Sequence, residues 1–219
     1  MAAFLPLRYA LAVSNASGVT AKSVQGVIWS GRFIDLKAGA LTFGDMNARL
    51  RSFPLLTGRA EYEISQNSIA GGNGFSGTVG NGWGGMQIEH LSGTANSRLN
   101  DSALPLAGIE FQDFSVRFSG GKCRSASGSL RLLIQPAAIP SINIGSGFLG
   151  TAKCRSGKLF LPMVSGSAME RADISVDASG KYSVSLVLNN VEPLAAPVLS
   201  LAGFRPIAGG YLQTFNGRF

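Results

Sequence analysis

The sequence predicts a mainly β fold: a large antiparallel, strongly curved sheet, or an open sandwich or barrel-like arrangement, with one or two short helices. Three observations carry that expectation. Apolar and polar residues alternate with a period of two over much of the chain, as in strands that bury one face. Glycine accounts for 29 of 219 residues, scattered without a repeat, as turns between many short strands require. Hydrophobic residues make up 45% of the chain against 14% charged, so there is ample surface to bury and no compositional basis for disorder.

Phe4 to Val13 is an apolar stretch interrupted by Arg8. It falls short of the roughly twenty apolar residues of a membrane span, and it lacks the leading charge and small-residue cleavage site of a signal peptide. It reads either as the first helix of a soluble domain or as the exit of a membrane helix whose upstream part is missing. On the second reading, residues 1–13 are a membrane-proximal stub and 14–219 a single β-rich domain beyond the membrane.

From Val24 onward the period is two. Ile34, Leu36 and Ala38 alternate with Phe33, Asp35 and Lys37; Met46, Ala48 and Leu50 alternate with Asn47, Arg49 and Arg51; Ala60, Tyr62 and Ile64 alternate with Arg59, Glu61 and Glu63. Half-buried strands in succession predict an antiparallel meander. The glycine-rich residues 71–85 contain a literal GxGxxG at Gly72, Gly74 and Gly77. No helical period comes after it, so the dinucleotide reading lacks its required context, and loops and tight turns are expected there. Further on, Phe114, Val116 and Phe118 form one face and Leu130, Leu132 and Ile134 another. After a turn at Asp177–Gly180, Tyr182, Val184, Leu186 and Leu188 give the clearest strand. Glu192 to Gly203 reads as a short helix, with Pro193 early and Gly203 at the far end; Pro197 confines the regular part to the residues after it.

Charge is uneven. Residues 1–118 hold nine Lys/Arg and eight Asp/Glu, whereas 119–219 hold ten and four, for a net charge of +7. A basic surface points to an anionic membrane or an acidic protein partner. No nucleic-acid-binding motif and no dense Lys/Arg run is present, so nucleic acid is not an expected partner.

Catalytic and metal chemistry find little support. His90 is the single histidine, and no nucleophile motif accompanies it. Two distant cysteines and one histidine do not make a zinc set. No catalytic residue, metal or cofactor is expected.

The two cysteines occur in matching tripeptides, Lys122-Cys123-Arg124 and Lys153-Cys154-Arg155. Strand neighbours point to opposite faces, so inward cysteines place these cations outward. Free thiols there would be activated by the cations, but a redox pair would want its partner close by, and these stand 31 positions apart. A structural Cys123–Cys154 disulfide is therefore expected, and with it an oxidising compartment. Lys122, Arg124, Lys153 and Arg155 then form a candidate basic docking face. The competing view is a solvated edge whose cations discourage strand-to-strand aggregation.

Several segments together resemble the type II secretion system protein N family, the N component of the general secretion pathway. They are Phe4 to Arg8; Val24 to Arg32 with its Gly26, Trp29, Ser30 and Gly31; Leu41 to Asp45 with Leu55 to Arg59; the two Cys-Arg segments with Gly157 to Pro162; and Leu201 to Pro206 with Asn216 to Phe219. The Gly26–Arg32 element itself is expected to be structural, with Gly31 in a turn and Trp29 filling a core.

The resemblance implies a bitopic inner-membrane protein of a Gram-negative bacterium, with a periplasmic β-rich domain and no catalytic residues. It would be an accessory subunit that contacts other secretion components, the inner-membrane platform or the secretin. A second function fits the same alternation: a lipid-binding or lipid-transfer groove of the cell envelope.

Overall fold

The computed structural model describes residues 6–7, 18–39, 41–66, 74–97, 106–134, 147–191 and 196–218. Of the expected stub, all but Pro6 and Leu7 lies outside the described residues. Among the described residues no helix is long and apolar enough to cross a membrane.

Sixteen strands join in one antiparallel sheet. The first half contains β1 (Val19–Thr20), β2 (Ser23–Val27), β3 (Ser30–Ala38), β4 (Leu41–Leu50), β5 (Arg59–Ser65), β6 (Ser76–Gly82), β7 (Gly85–Ser97) and β8 (Leu106–Ser119). The second contains β9 (Lys122–Ile134), β10 (Phe148–Thr151), β11 (Lys153–Arg155), β12 (Lys158–Ser165), β13 (Glu170–Val176), β14 (Lys181–Asn189), β15 (Arg205–Ile207) and β16 (Gly210–Arg218). Among the described residues two short helices lie between strands, α1 (Ser52–Leu55) and α2 (Ala196–Leu201). The predicted fold class is thus observed.

From β3 to β10 each strand pairs with its chain neighbour, and the meander resumes from β12 to β14. The turns consequently alternate between two ends of the sheet. The first end collects the β2–β3 turn, α1, the β6–β7 and β8–β9 turns and the β11–β12 turn. The opposite end carries the β12–β13 turn and α2.

One face of the sheet holds the core, with Met46, Phe75, Phe148, Met163, Leu186 and Leu188 fully buried. Leu41 and Thr42 of β4 pair directly with Ser97 and Asn96 of β7, so β5 and β6 form a hairpin inserted in a fork. Phe75, just before β6, sits in contact with Phe43 and Phe111, ring centroids 5.0 and 6.0 Å away.

Bulges bend the sheet. Left-handed residues stand at His90 on β7 (φ 52), Asp113 on β8 (φ 48) and Gly128 on β9 (φ 86), where the ladder registers shift. Asp35 (φ 52) on β3 is a similar site, and it corrects the expected alternation there. The extra residue puts Phe33 and Leu36 in the core, in place of Ile34, Leu36 and Ala38 as one uninterrupted face.

Two further expectations are corrected. Residues 76–82 are strand β6 rather than loop, because glycine lets its neighbours close over it. A Cβ on Gly80 would lie 2.9 Å from Glu61 Cγ and 3.2 Å from Gln87 Cγ. Trp29 does not fill a core; it occupies the β2–β3 turn and is exposed. Gly31 lies within β3 and receives the buried Leu7 side chain, which a Cβ would meet at 2.5 Å. The C-terminal helix is Ala196–Leu201, and residues 192–195 of its expected range lie outside the described residues.

Candidate functional site

The β8–β9 turn at Gly120 and Gly121, both with positive φ, delivers Lys122 to the start of β9. Cys123 comes next, buried opposite Phe118. On the other side of β9, β10 pairs with Ser129 to Leu132 and then bends at Ala152, whose NH donates to Gly128 O at 3.0 Å. That bend begins β11 and aims Cys154 back at Cys123. The two are joined by a disulfide, with a Cα–Cα distance of 5.6 Å, and Cys123 NH donates to Gly157 O at 2.7 Å. The bridge therefore ties β9 to β11 where β10 has ended.

Lys122, Arg124, Lys153 and Arg155 are all exposed, while the cysteines between them are turned inward. Phe160 of β12, opposite Lys153 in the ladder, lies between two of these cations. Lys153 Nζ is 5.6 Å and Arg155 Cζ 5.2 Å from its ring centroid. Arg155 is also paired across the ladder with Lys158. Arg124 Nε donates to Ser119 O at 3.2 Å, and the Lys122 stem passes over Gly157.

Some cations elsewhere on the sheet have carboxylate partners, as in Arg32–Asp45, Arg131–Glu110 and Arg171–Asp173. Among the described residues these four have no ion pair. The nearby Asp177 is held below the ordinary carboxylate value, chiefly by the hydrogen bond from the Ser179 hydroxyl, with the charge of Lys158 a lesser contribution. Its Oδ1 also accepts from the Ser179 and Lys181 NH groups and so closes the β13–β14 turn.

His90, Asp113 and Ser115 are the residue types of a hydrolase triad, yet their geometry is that of a bulge. His90 Nδ1 is 2.6 Å from Asp113 Oδ1, while the Ser115 hydroxyl oxygen accepts from the His90 backbone NH. The Ser92 hydroxyl in turn accepts from the Asp113 NH. The His90 and Asp113 side chains are 79% and 75% exposed, without the enclosure that acid–base chemistry exploits. Among the described residues no group of three or more His, Cys, Asp or Glu is placed to share a metal ion.

Buried polar clusters were not expected from the sequence. Glu61 and Gln87 meet over Gly80, with Gln87 Nε2 donating to Glu61 Oε1 at 2.8 Å. Arg59 donates to Gln87 and, with Arg51, approaches the same carboxylate at 3.6 Å. Glu170 accepts from the Ser165 and Ser167 hydroxyls at 2.5 Å. The available signal was an alternating strand with an acid beside a glycine-only neighbour position.

A disulfide-tied, single-sheet β protein with a cation-rich outer face is the class that these observations define. The chain belongs to the type II secretion system protein N family, whose model matches residues 17–214. It is thereby an accessory component of type II secretion. Comparison with curated proteins and with solved structures returns no significant match.

Proposed function

We propose that the protein is a non-enzymatic subunit that acts on the periplasmic side of the inner membrane by protein–protein interaction, using the Lys122, Arg124, Lys153 and Arg155 face to dock an acidic segment of another secretion component. The partner is the inner-membrane platform or the secretin. The observation that carries this reading is the set of four unpaired cations held on neighbouring strands. Like charges across paired strands repel, and an acidic partner relieves them. The disulfide beneath fixes their spacing, and Phe160 adds an apolar centre of the sort that anchors polar interfaces.

The lipid-groove alternative is less well supported. Buried side chains fill the core, and two surface concavities, about 230 Å³ beside Lys158, Asp177 and Tyr182 and about 290 Å³ beside Phe148, Leu149 and Val164, are both small for an acyl chain.

Cross-linking in cells from a photoreactive residue replacing Phe160, with identification of the captured chain, tests the proposal. Capture of a platform subunit or the secretin, lost on reversal of the four cations to Glu, supports it. Capture unchanged by the reversal refutes the basic-face assignment.

A further inference from the structure

Exposed apolar side chains occur singly on most soluble proteins and need no explanation. Here the largest are gathered at one end of the sheet. Phe53 and Leu56, three residues apart at α1, are 80% and 83% exposed, and Trp83 in the β6–β7 turn is 97% exposed. They are neighbours in space: the Trp83 ring passes 3.3 Å from where a Cβ on Gly58 would stand, two residues beyond Leu56. Trp29 joins them, since its carbonyl accepts from Leu50 NH at the entrance to α1.

The same end continues directly into cations. Gly85, beside Trp83, packs against Phe118 O and Ser119, and Arg124 donates to that same Ser119. Beyond it, outside the docking face, the turns and strand ends carry exposed Lys158, Lys181 and Arg218 around the Asp177 turn. No acid occurs between Asp113 and Glu170 in the sequence. The opposite end also exposes Val198 and Leu201 on α2, but among the described residues it has no tryptophan, and its Lys37, Arg131 and Arg171 are each paired with a carboxylate.

Tryptophan, phenylalanine and leucine projecting separately from adjacent turns, with lysines and arginines alongside, match the chemistry of a bilayer interface. Amphipathic rings rest at headgroup depth, and the cations meet phosphates. We infer that this end of the sheet is a membrane-contact rim: Phe53, Leu56 and Trp83 enter the headgroup region of an anionic phospholipid bilayer, and the neighbouring cations hold its phosphates. The rim goes beyond the protein-docking face and does not depend on which secretion component occupies that face.

The test is sedimentation of the full chain with vesicles of phosphatidylethanolamine and anionic phosphatidylglycerol, compared with phosphatidylcholine alone. Binding to the anionic vesicles is expected, weakening as salt is raised. The variant Phe53→Ser/Leu56→Ser/Trp83→Ser should lose at least about tenfold in affinity, equivalent to about 1.4 kcal/mol. The control Val198→Ser/Leu201→Ser should bind unchanged. In a Trp29→Phe background, which leaves Trp83 as the sole tryptophan, acyl-brominated lipid should quench the fluorescence.

Absent binding by the wild type, equal binding by the triple variant, or binding without quenching would each overturn the inference. The triple variant keeps the four docking cations, so capture of a secretion partner should survive it. A triple variant that loses partner capture while the wild type ignores vesicles would make these turns a protein contact, and would also overturn the rim.

Discussion

His90 on β7 and Asp113 on β8 face each other across a shared bulge, Nδ1 to Oδ1 at 2.6 Å, each in the left-handed backbone region. The hydrogen bond to Asp113, with its charge, raises the histidine above its ordinary value of 6.5. A raised folded value means that the stabilisation is fully present below the unfolded pKa and is lost as pH rises through the folded one. With one histidine in the chain, a single imidazole resonance reports it. Its NMR titration midpoint should lie above 6.5 in the wild type and fall in Asp113→Asn. The melting temperature of the wild type should lose its small advantage over Asp113→Asn as pH is raised through that midpoint.

Replacing both Cys123 and Cys154 with Ser should lower the unfolding free energy. Opening a loop of 31 residues costs about 3 to 4 kcal/mol in the chain-entropy account, readable by urea denaturation. Reducing agent should produce the same loss in the wild type and leave the double variant unaffected.

The glycines divide by surroundings. At Gly128 a Cβ would stand 2.3 Å from Asp113 O, at φ 86, whereas at Gly121 nothing lies within 4 Å, at φ 71. Gly121→Ala should cost only the left-handed penalty of about 1 kcal/mol. Gly128→Ala should cost well over twice that, because the β8–β9 bulge must open. Thermal melts of the two variants make the comparison.

Phe75 fills the fork between β4 and β7. Phe75→Ala should destabilise by about 3 to 5 kcal/mol, and hydrogen exchange should show the added protection loss centred on β5 and β6 rather than on β13 and β14.

The strands with unbroken alternation were legible in the sequence. Met46, Ala48 and Leu50 are all buried, and Leu186 and Leu188 are buried as their period requires. Alternation misleads wherever a bulge inserts a residue, as at Asp35, because one extra residue exchanges the two faces and no local residue type announces it. Ser76–Gly82 departs from its pattern for another reason: its glycine content looks like loop but serves the close approach of Glu61 and Gln87. Trp29 was misplaced because a large aromatic usually signals a core. Its turn position depends on Gly26 and on the pairing of β2 with β3, both tertiary facts. For the candidate site, the outward cations could be read from strand geometry, whereas the proximity of Phe160 depended on the β11–β12 register.

The meander has a consequence for how the polypeptide reaches this form. Most pairings join consecutive strands, so loop-closure costs are small and the sheet can lengthen one hairpin at a time. At every stage short of completion, however, the last-formed strand presents an unpaired row of backbone donors and acceptors, open to a neighbouring molecule. The cross-link between β9 and β11 closes the stretch of chain that contains β10. Once formed, it would hold the two halves together before β13 to β16 have been added.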